Sequence, residues 1–434
     1  MPGATASARQ SSIALAPLPV RQRQLANGLH VLSVQDSSAA TVAVQMWYRV
    51  GGKDDPRGRS GFAHLFEHLM FKSTRYMASE TFDRLTEDVG GQNNAYTSED
   101  VTVYQNEVPA HHLERLLWAE AERLSNLQVD QANFDSERSV VKEELRQGVL
   151  ADPYGRFFNS WVTLNYERHP YQRPVIGSIE DLDRATLDEV RAFHATWYRP
   201  DNALLVVAGG FDPAQLDRWV DRYFAGLVRP TTALPRVVIE EPSRRGEKRV
   251  TLRAPNVPLP ALALLWKGPP IAHADAPALR IASALLAAGD SSRLHEVLVY
   301  RRQWAQQVGF SADLSAQAGM LVAYAIAAAG AALPQIEKAL MAEIERLASG
   351  PIAVAELDKV RTQLLTAALV RRQTPAGLAA AVGQALTLYG DVRQADHELP
   401  LLQAVSVADV RRVLKRYVLS QRRVTLRYLN EGAR

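Results

Sequence analysis

Gly61-Phe62-Ala63-His64-Leu65-Phe66-Glu67-His68-Leu69-Met70-Phe71 sets two imidazoles and one carboxylate into an otherwise apolar run. The run predicts a helix from about Phe62 to Phe71, on which residues three and four apart share a face. His64 and His68 then project side by side, one turn apart, with Glu67 next to them. This is the inverted zinc pattern H-x-x-E-H. Imidazole nitrogen is a ready ligand for Zn²⁺, and catalytic zinc keeps one position for water. Water so bound has a pKa of about 7, within reach of a neighbouring carboxylate base. His64 and His68 are therefore candidate ligands and Glu67 the candidate general base. Leu65, Phe66, Leu69, Met70 and Phe71 bury the helix, and polar groups in a buried helix demand a partner.

A third ligand must come from another segment. Ser136-Glu137-Arg138-Ser139-Val140-Val141-Lys142-Glu143-Glu144-Leu145-Arg146 belongs to a predicted helix running from near Ser136 to about Leu150, before Asp152-Pro153. Val140 and Val141 mark its buried side. Glu137 and Glu144 are seven apart and share a face, but periodicity leaves Glu137, Glu143 and Glu144 all open as the ligand.

Around these helices the chain alternates strands and helices. Leu29 to Val34 and the alternating Val42, Val44, Met46, Tyr48 and Val50 are strands, separated by a turn at Asp36–Ala39. Gly90-Gly91 turns the chain into a strand from about Asn94 to Val108, and Leu113, Leu116, Leu117 and Leu124 recur at helical spacing. Ala203 to Ala208 is a short strand, and Asp212 opens a helix. Pro230, Pro235 and Pro242 among charged residues mark a linker over 229–248. It separates a metal-bearing domain (20–228) from a second one (249–430), in which strands (Val250–Leu252, Ala261–Trp266) and helices alternate again. The run from Leu321 to Leu333 is a buried strand leading into a helix. The two halves share an order of elements that suggests duplication.

Composition excludes several classes of function. With 50 basic and 47 acidic residues, the 434-residue chain carries only +3, too little to argue for nucleic acid. Arg244-Arg245 and Arg411-Arg412 are expected on the solvated surface. There is no cysteine, so His, Asp and Glu must hold any metal. No stretch is long and apolar enough for a membrane span. Met1 to Leu18, with one basic residue and no apolar core, is not a signal peptide as written. No serine lies in G-x-S-x-G and no phosphate loop is present. His111 and His112 are expected at the surface, and His169 as a packed loop histidine.

The chain resembles the pitrilysin–insulinase family of zinc metallopeptidases, which includes the mitochondrial processing peptidase. The likeness covers Gly61 to Thr74, Gly90-Gly91 with Asn94-Ala95 and Thr97, Glu137-Arg138 with Glu144, Tyr198 to Asn202, and Ser291-Ser292-Arg293-Leu294. It implies an α+β fold of two similar α/β-roll halves, each a mostly antiparallel sheet covered by helices. It implies Glu144 as the third ligand of one Zn²⁺ and Glu137 as a second acidic residue orienting the site. It further implies that a peptide substrate adds as a strand along Asn94, Ala95, Tyr96 and Thr97. Active relatives place an Arg and a Tyr, seven apart, in the second half to stabilise the oxyanion. Val299 and Gln306 fall there in this chain, and the Arg293/Tyr300 spacing is coincidental. The implied enzyme is a zinc endopeptidase subunit paired with a homologous metal-free subunit that supplies the Arg/Tyr pair, or with a second copy of itself. A non-catalytic scaffold or a peptide-binding module of the same fold is the competing expectation. The half-size architecture points to a bacterial protein, and such relatives to the periplasm.

Overall fold

The computed structural model describes residues 16–432; Met1 to Leu15, most of the stretch considered as a leader, lies outside them. Strands β1 (Val20–Gln24), β2 (His30–Gln35), β3 (Thr41–Tyr48), β4 (Gln92–Thr97), β5 (Thr102–Pro109) and β6 (Ala203–Gly209) form the first sheet, in the order β1-β2-β6-β3-β5-β4. Its helices are α1 (Phe62–Leu69), α2 (Thr81–Glu87), α3 (Leu113–Asn126), α4 (Gln131–Leu145), α5 (Gly155–Asn165), α6 (Ile179–Arg184), α7 (Leu187–Trp197) and α8 (Pro213–Phe224). The second sheet has β7 (Lys248–Ala254), β8 (Ala261–Gly268), β9 (Ala305–Leu314), β10 (Gly319–Ala327) and β11 (Val424–Asn430), in the order β7-β11-β8-β10-β9. Its helices are α9 (Ala276–Ala287), α10 (Leu333–Ser349), α11 (Val354–Arg371), α12 (Pro375–Leu388), α13 (Gln394–Ala404) and α14 (Val407–Leu414).

Setting β1 aside, the two sheets correspond strand for strand. β2 and β7 run parallel to β6 and β11, while β3 and β8 run antiparallel to them and to β5 and β10. The outermost strands, β4 and β9, pair antiparallel with β5 and β10. The duplication suggested by element order is therefore present in the hydrogen-bond topology. β6 reads as an unbroken apolar run and is buried throughout, as a strand covered on both faces must be.

Each half lends the other a helix. One face of the first sheet packs on its own helices, including Phe66 of α1, Leu116 of α3 and Phe193 of α7. The opposite face, with Trp47, Val103, Leu204 and Val206, is covered by Leu378, Ala379, Val382 and Ala385 of α12. Reciprocally, Phe157 and Trp161 of α5 cover Ala263, Leu265, Val322 and Leu426 of the second sheet. Polar bonds tie the same halves together. Asp100 accepts from the Tyr171 hydroxyl at 2.6 Å and from the Ala316 backbone N–H at 2.8 Å.

Three expectations need correction. Asn94 to Val108 is two strands, because Ser98 turns the chain: its N–H bonds the Val101 carbonyl at 2.8 Å, and its hydroxyl oxygen accepts from the N–H groups of Asp100 and Val101. The helix expected from Ser136 begins at Gln131, capped by Asp130, whose carboxylate accepts from Asn133 N–H at 2.8 Å. It ends at Leu145 and loosens into a wide π-helical turn over Arg146–Ala151. Arg244 is not a solvated residue; its side chain is buried and donates to the Asn165 carbonyl. Residues 229–247 contain neither helix nor strand. Among the described residues, no helix is long and apolar enough to cross a membrane.

The exchanged helix α12 makes close contact at one point. A Cβ added to Gly383 would lie 2.4 Å from Cε2 of the fully buried Trp47 ring. Replacing a mid-helix glycine by alanine normally gains up to about 1 kcal/mol. Here overpacking against a rigid indole reverses the sign. Gly383→Ala should destabilise the protein by roughly 1–3 kcal/mol in urea unfolding.

Candidate metal centre

Helix α1 is short, and its position is set by groups outside it. The Asp55 carboxylate accepts from the backbone N–H groups of Gly61 at 2.7 Å and Ala63 at 2.8 Å, satisfying donors that a helix start leaves free. Gly61 has φ 98°, a left-handed conformation suited to glycine, and a Cβ there would press on Ile176 and Gly177. Phe62, Leu65, Phe66 and Leu69 face the core, with Phe66 stacked on Phe193 at 5.5 Å. That leaves His64, Glu67 and His68 on the opposite, partly open face.

Helix α4 crosses this face. Its Phe134, Val141 and Leu145 are buried, whereas Val140, expected on the buried side, is 47% exposed. Glu144 Oε2 lies 3.7 Å from His64 Nε2 and 3.5 Å from His68 Nε2. One ligand atom from each of the three residues falls within 4.8 Å of the other two. The three glutamates left open by periodicity are now separated. Glu143 points to solvent and pairs with Arg146. Glu137 is buried, with Oε1 2.7 Å from Lys72 Nζ and Oε2 3.6 Å from His68 Nδ1. Only Glu144 faces both imidazoles.

The donor set fits a divalent transition metal. Two imidazoles and one carboxylate are the ligand types of His₂Glu zinc sites. Burial, and then the neighbouring His68, push His64 down to about 4, so its imidazole is neutral at physiological pH, as a metal-binding nitrogen requires. Its Nδ1 is buried without a hydrogen-bond partner. Burial opposes charge on His68, yet Glu137, Glu144 and Glu67 outweigh it and hold its pKa above the ordinary value. Burial likewise raises Glu67, partly offset by the Thr97 hydroxyl, which donates to Oε2 at 2.6 Å.

That last bond ties Thr97 directly to Glu67. β4 is the free edge of its sheet, and its side chains alternate. Gln92, Asn94 and Tyr96 are exposed, whereas Asn93, Ala95 and Thr97 are half-buried. Thr97 faces Glu67, and Ala95 packs on the same core as α1. Sequence reading missed this link, and it missed Lys72 and Asp55. Lys72 follows His68 at helical spacing, a signal that could have pointed to the site. Asp55 lies in a polar loop that gave none.

In the second half, α9 and β9 stand where α1 and β4 stand in the first. Arg280, Ser283, Ala284 and Ala287 of α9, Phe310 and Ala312 of β9, and Leu364 of α11 line a cavity of about 300 Å³ with no metal-ligating set. Gln306 is exposed on β9, and Val299 is half-buried in the wide turn before it. Arg293 is held by Glu356 at 2.7 Å, and Tyr300 is largely exposed. His169 is buried against Tyr171, with Nε2 3.0 Å from Gln317 Oε1.

The family model described as insulinase (peptidase family M16) matches residues 30–176, and the one described as the peptidase M16 inactive domain matches residues 184–364. The chain belongs to the insulinase family, peptidase family M16. It is 32% identical over 340 residues to the zinc protease PqqE of Helicobacter pylori, covering 78% of this chain and 76% of that protein. It is 24% identical over 407 residues to a probable mitochondrial-processing peptidase subunit beta of Arabidopsis thaliana, covering 92% and 76%. The crystal structure of a protease from Helicobacter pylori superimposes with a TM-score of 0.92 at 28% identity, covering 95% of this chain and all of that one. A peptidase M16 inactive domain from Pseudomonas fluorescens shares the fold, with a TM-score of 0.82 at 17% identity. The two-sheet, two-half architecture is thus that of M16 peptidases.

The support under α1 is testable. Burial pushes the Asp55 carboxyl up to about 7 against the pull of the Ala63 and Gly61 N–H groups and Arg173. Between about pH 4 and 7 the folded protein holds a proton that the unfolded chain releases, so this group's contribution to stability is lost as pH rises through that window. Asp55→Ala leaves two buried donors unpaired and should cost roughly 1–3 kcal/mol. The loss should be larger at pH 5 than at pH 8 in chemical denaturation.

Proposed function

We propose that this chain is the metal-bearing subunit of a zinc endopeptidase acting on peptides or unfolded protein segments. The observation that carries the reading is the approach of Glu144 to His64 and His68, with Glu67 on the same helix face. His64, His68 and Glu144 would hold one Zn²⁺, and Glu137 would orient His68. The metal lies in the first of two domains, 20–228 and 249–430, joined by 229–248. The zinc protease name of the Helicobacter pylori relative supports the choice of metal.

The chain's own residues divide the work. A bound zinc ion supplies Lewis acidity to the scissile carbonyl and acidity to the attacking water. A peptide pairs with the free edge of β4 along Asn94 to Thr97, so that backbone bonds give affinity and side-chain positions give selectivity. Thr97 holds Oε2 of Glu67, which leaves the other carboxylate oxygen to accept the proton of the attacking water. Glu67 then delivers that proton to the amine nitrogen as the C–N bond breaks.

Val299 and Gln306 offer no cation and no phenol to the oxyanion. We infer that a homologous subunit supplies an Arg/Tyr pair in a heterodimer, in line with the likeness to mitochondrial-processing peptidase beta subunits. A homodimer would bring no such pair. The scaffold and peptide-binding readings are disfavoured because Glu67, which neither requires, stands with a full ligand set.

Glu67→Gln should keep zinc at wild-type stoichiometry by elemental analysis while peptide hydrolysis falls by at least about 10³-fold. Hydrolysis near the wild-type rate would remove Glu67 from the mechanism. Thr97→Val should also keep zinc, with kcat reduced on the order of 10-fold, because the carboxylate remains but its orientation is lost. Chelation should abolish cleavage and zinc should restore it. Cleavage by the chain alone, unchanged when the homologous subunit is added, would exclude the heterodimer.

A further inference from the structure

The Glu137 carboxylate is 6% exposed and sits against His68, and a carboxylate so enclosed is kept in place by the polar groups that touch it. Two groups engage its Oε1: Lys72 Nζ at 2.7 Å and the Ser136 hydroxyl at 3.1 Å. Its Oε2 is left facing His68 Nδ1 at 3.6 Å. Lys72 is the only cation in this set. Its own side chain is 25% exposed, so its ammonium is drawn inward instead of floating on the surface.

The backbone fixes where that ammonium can go. Lys72 N–H bonds the Leu69 carbonyl at 3.0 Å, closing the last turn of α1. The next residues are pinned to the approach to α4. Gln128 N–H donates to the Ser73 carbonyl at 2.9 Å, Asn133 Nδ2 donates to the Ser73 hydroxyl at 3.1 Å, and Thr74 bridges to Leu127. Lys72 thus stands in the turn that ends the helix carrying two of the ligands and reaches across to the helix that carries the third.

We propose that Lys72 is a positioning residue for the metal centre. Through Glu137 it holds the imidazole of His68 with Nδ1 toward Glu137 and Nε2 toward Glu144, the orientation needed for metal binding. The proposal rests on the zinc reading above. Partners of this kind set ligand orientation and basicity, and losing one typically weakens metal binding 10–100-fold. Without the ammonium, Glu137 has only a hydroxyl to hold Oε1. Its carboxylate is then free to leave His68 Nδ1, and the ring loses its fixed direction.

The test is zinc affinity of the full chain, measured by competition with a chromophoric chelator at pH 7.5, for wild type, Lys72→Met, Lys72→Arg, Glu137→Gln and the Lys72→Met/Glu137→Gln pair. Thermal melts of the metal-free proteins check that each variant folds. Lys72→Met should weaken zinc binding 10–100-fold, and Lys72→Arg should recover most of it. In the Glu137→Gln background, Lys72→Met should cause no further loss, which distinguishes action through Glu137 from a general effect on α1. If wild type binds zinc tightly and Lys72→Met binds within threefold of it, the proposal is overturned while the zinc site stands. Equal and additive losses in both backgrounds also overturn it. If wild type itself takes up no zinc, the reading beneath the proposal falls and takes it along.

Discussion

A helix of eight residues cannot by itself hold two imidazoles in register for a cation, since its ends have too few internal bonds to resist fraying. The site therefore depends on how α1 is wedged between its apolar face and α4. Leu65, Phe66, Phe134 and Val141 belong to one buried core, which sets the separation of the two helices. Asp55 fixes the start of α1, and the turn through Lys72 and Ser73 fixes its end against the chain before α4. Given those anchors, Glu144 meets His64 and His68, while Glu143 and Arg146 beside it on the chain pair with each other at the exposed surface.

The duplicated frame separates fold from chemistry. Both halves provide an edge strand, a helix beside it and a second helix crossing, yet the first places His64, His68 and Glu144 there and the second an alanine-lined cavity with Arg280. A shared scaffold therefore does not impose a shared function; the side chains on three elements decide. The exchange of α5 and α12 makes the two halves one cooperative body. Each sheet would expose an apolar face without the other half's helix. The second half is thus structurally necessary even where it brings no ligand.

What was legible in the sequence follows from the range of the interactions. The H-x-x-E-H face of α1 could be read because helical periodicity is local, and β6 because a buried strand is an unbroken apolar run. The expected start of α4, Ser136, lies five residues after the observed one, because the cap, Asp130, precedes the acidic run. The β4–β5 hairpin is not visible in the sequence, because the turn at Ser98 and Asp100 is held partly by a backbone group of the second half, at Ala316. Choosing among Glu137, Glu143 and Glu144 from sequence needed a family resemblance, since which flank of a helix meets another helix is a long-range fact. The contacts of Thr97 with Glu67 and of Lys72 with Glu137 are long-range facts too: each side chain meets a carboxylate of another element, 30 residues away for Glu67.

Charge balance draws these residues together. Glu67, Glu137 and Glu144 bring three carboxylates to one partly enclosed site, and Lys72 returns a single ammonium. His64, held neutral by burial, adds no compensation. The excess negative charge already acts within the site, because Glu144 adds to the burial that raises Glu67. A divalent cation between the imidazoles and Glu144 would relieve that repulsion where it is greatest, while Lys72 continues to balance Glu137 outside the coordination sphere. One cation alone could not serve both carboxylates. Glu137 sits on the Nδ1 side of His68 and Glu144 on its Nε2 side, so the imidazole ring lies between the two charges that need neutralising.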